Sequence, residues 1–202
     1  MTTQTAYPNG QVLVSSALTP SQINLIIQTL TCGAIGINPV DPSQVRVDWP
    51  TQGQPFADVG TDVCYISCVP KDVEYSRIRD RVLTQTSNPI VLTENWGYTK
   101  GWHIAWLFYG PNSEDRSRQV RSAMFLDYFN DQLSLNNLYP LPDPPEVVRS
   151  PQLINAEWWE RADFHIDLYE AITETITDGV VTSVEVKLND NNGPAADLTV
   201  TA

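Results

Sequence analysis

The sequence contains no hydrophobic run close to the ~20 residues that a membrane-spanning helix requires. Its first residues, Met1-Thr2-Thr3-Gln4, carry neither a basic stretch nor an apolar one, so neither secretion nor membrane association is expected. Internal repeats of useful length are also absent. What remains is a chain of 202 residues, 42% hydrophobic and 18% charged, which is long enough to bury a core and is typical of a globular protein.

Basic residues are few, with 12 Lys and Arg against 24 Asp and Glu and a net charge of −12. This balance argues against a nucleic-acid-binding protein, because affinity for nucleic acid comes largely from contacts of Lys and Arg with the phosphates. The charges are also uneven, since residues 71–121 hold eight of the 12 basic residues and residues 151–202 hold ten acidic ones. A basic middle and an acidic end allow head-to-tail association of copies, although an ordinary solvated acidic surface explains the same composition.

Recognisable catalytic and cofactor motifs are missing. The sequence has no G-x-G-x-x-G, no Walker phosphate loop, no H-E-x-x-H, no C-x-x-C and no G-x-S-x-G. There are three cysteines, and Cys64 and Cys68 would lie ~13 Å apart on a strand, too far for a disulfide or a shared metal. We therefore expect buried reduced thiols, including Cys32, together with a reducing compartment and no cofactor.

Histidine is equally scarce, with one residue at His103 and one at His165. His103 stands among aromatic residues, which favours a structural role. Asp163, His165 and Asp167 occupy alternate positions, so on a strand they share one face and could bind a divalent ion or transfer protons. No second cluster completes such a site in the sequence. We therefore interpret the three as part of an interface and expect no enzyme activity; a small metal-dependent hydrolase is the alternative from a different class.

A long amphipathic segment at 156–188 is the most informative feature that is present. Apolar and polar residues alternate from Arg161 onward, as they do on a half-buried strand. The pair Asp178-Gly179 favours a tight turn and alternation resumes after it, so the segment is predicted to be a β-hairpin. Its polar face and its base are predicted to contact a neighbouring subunit through Trp158, Trp159, Arg161, Asp163, His165, Asp167, Glu185 and Lys187.

Other helices and strands are predicted from capping residues and from helical or alternating apolar spacing. They are, in chain order, a helix from Thr19 to about Gly33, strands at 61–69, 73–83 and 96–109, and a helix that starts at Asn112 or Ser113 and reaches Tyr128. The strand at 73–83 carries Arg77, Arg79 and Arg81 on one face. That face is predicted to meet an acidic surface of a partner.

One domain is expected over residues 1–188. Its irregular parts are an N-terminal arm at 1–17, a long Pro- and Gly-rich connection at 37–60 and a stiff, extended Pro-rich connector at 138–150. Residues 189–202 are predicted to be a polar tail that is flexible or docked on a partner.

The order of these segments resembles the tail and neck terminator proteins of tailed bacteriophages. The resemblance covers roughly residues 20–188 and rests on a W-H-I-A-W-L-F-Y-G-P strand running into a helix, the Pro-rich connector, and the segment E-R-A-D-F-H-I-D-L-Y. Its clearest match is Trp159-Glu160-Arg161-Ala162-Asp163 at the start of the long strand. It implies an α+β fold in which a mixed or antiparallel sheet has helices packed on one face.

The resemblance also implies a structural virion protein that forms a hexameric ring at the head-proximal end of the tail. The ring would end growth of the tail tube and join the tail to the neck. The implied partners are copies of the chain, the tail tube protein, stopper or adaptor proteins of the neck, and a tail sheath where there is one; DNA would pass through the lumen without specific binding. The implied location is the virion, and the host cytoplasm during assembly. A head-completion, stopper or adaptor protein of the neck is the alternative within the same virion.

Overall fold

The computed structural model describes residues 3–6, 11–37, 43–47, 58–85, 91–154, 156–179, 183–190 and 193–201. Within these ranges the helices are α1 (Pro20–Ala34), α2 (Ser113–Ala123) and α3 (Asp127–Ser134). The strands are β1 (Thr3–Ala6), β2 (Val12–Ser15), β3 (Val45–Val47), β4 (Val63–Lys71), β5 (Asp80–Gln85), β6 (Val91–Tyr109), β7 (Leu138–Pro140), β8 (Val148–Arg149), β9 (Gln152–Ile154), β10 (Glu157–Trp159), β11 (Arg161–Gly179), β12 (Ser183–Asp190) and β13 (Gly193–Thr201). The predicted α+β class is confirmed.

The contacts within the chain divide it into two compact units. The larger unit consists of Ala17–Ile78 and Tyr98–Ile172, and the smaller unit consists of Met1–Ser16, Arg79–Gly97 and Thr173–Ala202. The long strands β6 and β11 contribute residues to both units. The single domain expected over 1–188 stays a prediction.

The sheet of the larger unit is built on β4 and β6, which pair antiparallel from Val63 opposite Tyr109 to Lys71 opposite Gly101. β3 pairs parallel to β4 on one side, and β11 is the neighbour of β6 on the other. Successive side chains of a strand point to opposite faces. One face carries the main core, which includes Trp102, Ile104, Trp106, Phe108, Phe164, Ile166 and Leu168. The predicted mixed sheet is confirmed.

Helix α1 packs on this core face and starts where the sequence predicts. The Thr19 side chain accepts a hydrogen bond from Gln22 N, and the Gln22 side chain accepts one from Thr19 N. This arrangement, a capping box, supplies hydrogen-bond acceptors to N–H groups that have no helical partner at the start of the helix. Ile23 is fully buried in the main core, and the Trp106 indole N–H donates to Thr31 Oγ1 at 2.9 Å. That bond ties the helix to β6.

The single helix predicted from Asn112 to Tyr128 is two helices. α2 ends at Ala123, Leu126 has an extended backbone, and α3 begins at Asp127. Asn130 Nδ2 donates to Met124 O at 3.1 Å and so satisfies a carbonyl that the break leaves without its helical partner. Helical spacing along one continuous helix predicts Tyr128 on its apolar face, but the helical register restarts at the break and Tyr128 is exposed.

The predicted Pro-rich connector lies along β11. β7 places Pro140 opposite Leu168, and β8 places Arg149 opposite Ala162. Between them, Leu141 N donates to the carbonyl of Asp167 at 3.1 Å. Proline is tolerated at a sheet edge because the outer side of an edge strand has no ladder bond to make. Both ends of the segment therefore pair with the sheet, and its role as a connector stays a prediction.

The predicted N-terminal arm contains two strands of the smaller unit. β1 and β2 pair with each other, with Thr3 opposite Ser15. β2 also pairs with β11, from Val12 opposite Thr177 to Ser15 opposite Glu174. In the same unit, β5 pairs with the first part of β6. All four side chains of β1 are exposed, so burial imposes no apolar alternation there and the sequence carries no strand signal.

The predicted terminal hairpin is wrong in its pairing. β11 continues through Asp178 and Gly179, where a turn was predicted, and reaches 19 residues. In the described ranges, β12 pairs with β13 and not with β11. The reason is that β11 has both edges occupied, by β6 on one side and by β2, β7 and β8 on the other. Part of the predicted tail, 193–201, therefore forms the strand that pairs with β12.

Two further predictions of local structure need correction. Residues 73–83 do not form one strand, because a 3₁₀ turn at Glu74–Arg77 precedes β5. Ser76 N and Ser76 Oγ both donate to Val73 O, and such short-range bonds favour a turn over a strand. In the connection predicted at 37–60, the described residues include β3, which pairs with β4.

Candidate assembly surface

A short hairpin of β9 and β10 covers the sheet face of the larger unit opposite the helices. Trp159 is 6% exposed, and its ring meets that of Tyr109 edge-on with centroids 6.2 Å apart. With Val63 and Tyr65 they form a second hydrophobic cluster, at strand positions that alternate with those of the main core. Trp159, predicted to contact a neighbouring subunit, is instead a core residue of this unit.

The neighbouring tryptophan has the opposite environment. Trp158 is 70% exposed and lies directly opposite Leu153, which is 55% exposed. Cross-strand partners have side chains about 5 Å apart, so the two form one apolar projection, here called the knob. Large aromatic side chains left in water in this way are typical of interface anchors. Sequence reasoning found Trp158 and missed Leu153, which only the strand register identifies.

A second exposed apolar surface lies among the helices of the larger unit. It is an open groove of about 1090 Å³ between α1 on one side and α2 and α3 on the other. Its apolar lining includes Leu25, Leu126 and Tyr128, which are 63%, 60% and 70% exposed. Polar side chains, among them Arg118, also line the groove. Sequence reasoning missed this helix groove. The available signal was that Leu25 and Leu126 are apolar but do not follow the apolar spacing that predicts the helices.

Arg161 and Asp163, both predicted interface residues, bind each other. Arg161 Nε and Nη2 donate to the two Asp163 oxygens at 2.7 and 2.8 Å. Arg161 Nη1 also donates to Gln152 Oε1 at 3.0 Å, and the Tyr109 hydroxyl donates to that same oxygen at 2.9 Å. The bonds to Asp163 raise the pKa of Arg161, against the effect of partial burial. This network ties β9 to β11 and supports the base of the knob.

Asp167 lies between two basic groups on the same sheet face. Lys71 Nζ donates to one of its oxygens, and His103 Nδ1 lies 2.8 Å from the other. The rings of His103 and His165 are tilted against each other with centroids 5.3 Å apart. The predicted trio of Asp163, His165 and Asp167 thus shares a face, but each carboxylate already has a basic partner.

The other predicted interface residues are scattered. Arg77 pairs with Asp72, both exposed. Arg81 pairs with Glu94, and its guanidinium lies 5.5 Å from the centre of the Trp96 ring. Arg79 is an exposed residue just before β5. Glu185 and Lys187 lie on β12, opposite Thr199 and Asp197. Because 73–83 is not one strand, the three arginines do not form the basic face that the sequence predicts.

One known protein family matches most of the chain. The family model described as phage neck terminator protein matches residues 21–192. This chain belongs to the phage neck terminator protein family. The match contains both surfaces described above and confirms the predicted resemblance to tail and neck terminators. A search of curated proteins found no match.

Membership of this family makes the chain a structural protein of the phage, located in the tail and neck region of the virion. The described helices include none with both the length and the hydrophobicity needed to cross a membrane.

Over the described ranges of the neck terminator, His, Cys, Asp and Glu side chains nowhere gather in a group of three that could hold a metal ion. All three cysteines are buried, and none of them forms a disulfide. Burial, with a smaller contribution from Cys32, raises the pKa of Cys64 well above its usual value, so this thiol stays protonated at neutral pH.

Acid is expected to remove the small stabilisation that Asp167 provides in the neck terminator. Desolvation alone would raise the pKa of Asp167, but the bonds from Lys71 and His103 outweigh it and leave the pKa below its usual value. A lowered folded pKa stabilises the protein above the unfolded value of about 3.9 and ceases to do so as pH falls through the folded value. Asp167→Asn should therefore lower the free energy of unfolding at pH 7, by less than about 1 kcal/mol for this part-exposed pair, and the loss measured by urea denaturation should shrink as the pH is lowered to 3.

The matched control for this measurement is Asp72→Asn, which removes the exposed partner of Arg77 on the same unit. Its urea midpoint should equal that of the wild-type protein at both pH values. A difference between Asp167→Asn and wild type that stays constant from pH 7 to pH 3 would contradict the assignment.

Proposed function

We propose that this neck terminator forms a hexameric ring at the head-proximal end of the tail, ends growth of the tail tube and joins the tail to the neck. The family match over residues 21–192 carries the proposal. The partners that follow from it are copies of the chain, the tail tube protein, a stopper or adaptor protein of the neck, and the sheath where the tail has one. DNA would pass through the ring without specific binding, in keeping with the net charge of −12.

Self-assembly is supported by the apolar surface that one chain leaves exposed. The knob and the helix groove place several large apolar side chains in water on the larger unit. Apolar patches of this kind on a soluble protein mark sites of contact with other proteins. Trp158 is therefore proposed as the principal contact residue, and the sheet face around His165 is proposed as a second contact surface. Glu185 and Lys187 are proposed as contacts on the terminal hairpin of β12 and β13.

The arginines have a smaller part in this proposal than the sequence suggests. Arg77 and Arg81 already bind acidic side chains of their own chain. A contact with a neighbour would have to replace those bonds, and exposed ion pairs contribute only about 0–1 kcal/mol. We expect Arg77, Arg79 and Arg81 to affect the rate and salt dependence of docking more than its strength.

Ring formation is tested by the mass of the purified protein. We expect native mass spectrometry to show a species of six chains whose population rises with protein concentration. Electron microscopy of the same sample should show closed rings. A monomer at every concentration, with and without the tail tube protein, would contradict the ring.

The terminator role needs a separate test. Added to polymerising tail tube protein, the chain should shorten the tubes in proportion to its concentration and label one end of each. Labelling along the whole tube, or unchanged tube length, would contradict termination. Labelling of the head-side connector instead of the tube would identify the chain as the head-completion, stopper or adaptor protein that is the alternative.

A further inference from the structure

We infer that the knob of one copy, Trp158 with Leu153, inserts into the helix groove of the next copy in the assembled ring. This inference rests on the proposed ring and identifies the two surfaces that meet in it. The occupant of the groove is thus a second copy of the chain.

The two surfaces lie on opposite faces of the larger unit's sheet. The hairpin of β9 and β10 packs on the face that carries Tyr65 and Tyr109, through the buried Trp159. The helices pack on the other face, against Trp106 and Phe108. A contact between unlike surfaces of identical chains leaves a free knob at one end and a free groove at the other. Such a contact repeats from copy to copy and forms a ring when the rotation between copies closes, whereas a two-fold dimer would pair each surface with itself.

The chemistry of the groove suits an indole and a leucine side chain. Its apolar lining includes the exposed side chains of Leu25, Leu126 and Tyr128, and its volume of about 1090 Å³ leaves room for both knob side chains. A buried tryptophan requires an acceptor for its indole N–H. Gln119 and Gln132 line the groove, and their side-chain oxygens can accept that hydrogen bond.

One carboxylate near the knob and one guanidinium in the groove carry opposite charges and can pair between copies. Glu157 precedes Trp158 on β10, so its side chain leaves the strand on the side opposite the indole; it is exposed and makes no ion pair among the described residues. Arg118 lines the groove together with Asp115, and among the described residues its ion pair is the exposed i,i+4 contact with Glu114 at 2.7 Å. Contacts of that kind are weak, so Arg118 can turn to Glu157 of the incoming copy at little cost.

Truncation of either surface tests the contact. Trp158→Ala and Tyr128→Ala should each weaken assembly about 30-fold or more, as expected for an anchor residue at an interface centre. The melting temperature of the monomer should not change, because both side chains are exposed. The matched controls are Val148→Ala and Leu135→Ala, which truncate exposed apolar side chains outside the knob and the groove and should assemble as wild type.

Charge reversal tests whether the two surfaces meet each other. Glu157→Arg and Arg118→Glu should each weaken assembly, and the double variant should recover most of the loss. Glu114→Gln, which removes only the partner of Arg118 within the chain, should leave assembly unchanged. Additive losses in the double variant would overturn the proposed pairing.

Crosslinking gives a direct readout, because the native cysteines are all buried. A variant with both Leu153→Cys and Leu25→Cys should give, with a short thiol-specific crosslinker, a ladder of covalent species up to the full ring. Each single variant should stay monomeric on a denaturing gel. Dimers from Leu153→Cys alone would show that knob meets knob and would overturn the inference.

The remaining outcomes separate the inference from the function on which it rests. If Trp158→Ala forms normal rings but no longer binds the tail tube protein, the knob contacts that partner and the inference is wrong while the ring stands. If Tyr128→Ala forms normal rings while Trp158→Ala does not, another segment or protein fills the groove, and the inference is again wrong. If the wild-type chain forms no ring, the proposed function itself fails.

Discussion

Replacing Trp159 by alanine is expected to lower the free energy of unfolding by about 3–5 kcal/mol, the range for deletion of a buried aromatic side chain. The indole is 6% exposed and packs edge-on against Tyr109 beside Val63 and Tyr65. Its loss leaves a cavity in the second hydrophobic cluster and loosens the β9–β10 hairpin from the sheet. Urea denaturation followed by circular dichroism measures the change.

The adjacent tryptophan is the matched control for this experiment. Trp158→Ala removes the same side chain one residue earlier, from a site that is 70% exposed. It should change the free energy of unfolding by less than about 0.5 kcal/mol, because little surface leaves water there on folding. Equal losses in the two variants would mean that the hairpin does not alternate as described. The pair also separates stability from assembly, since Trp158→Ala is the variant expected to weaken the ring.

Replacing Glu170 by alanine is expected to destabilise the fold by roughly 2–5 kcal/mol. Glu170 is 1% exposed on β11 and accepts hydrogen bonds from Leu18 N at 2.6 Å and from the Trp102 indole N–H at 2.8 Å. Its removal leaves two buried donors without an acceptor, and each such donor costs about 1–3 kcal/mol. The carboxylate thus joins β11, β6 and the start of α1.

The control for Glu170 is the isosteric amide. Glu170→Gln keeps one side-chain oxygen and can still accept from one donor, while its NH₂ group faces the other donor. We expect a loss clearly smaller than that of Glu170→Ala in the same urea experiment, and an intermediate midpoint. A loss for Glu170→Gln as large as that for Glu170→Ala would show that packing or charge, rather than the hydrogen bonds, makes this residue important.

Patterns that repeat along the chain determined several elements by themselves. The helix that starts after Thr19 follows from a capping box and an apolar stripe, both of which are local. The strand β11 follows from alternation of apolar and polar residues, and the part of β6 predicted at 96–109 follows from a run that is apolar on both faces. The family resemblance also came from the order of such segments, and the match over residues 21–192 confirms it.

Strand partners could not be determined in this way. Alternation after Asp178-Gly179 predicted a return strand on β11, and only the sheet shows that β6 and β2 already occupy the edges of β11. The partner of a strand depends on which edges other segments have filled, which is not a property of either segment's sequence. The same reason explains why the pairing of β7 and β8 with β11 does not follow from the Pro-rich sequence at 138–150.

For the assembly surface, too, the sequence determined one part and the tertiary structure another. The sequence identified two tryptophans and a charged strand face as candidate contacts, because large aromatics and alternating charge are visible in any strand. Only the tertiary structure decided that Trp159 is buried under the hairpin and that Trp158 projects beside Leu153. The helix groove likewise exists because α2 and α3 break at Met124–Leu126, which leaves Leu126 and Tyr128 facing water opposite Leu25. Burial is decided by what packs on a residue from elsewhere in the chain, and a local pattern does not contain that information.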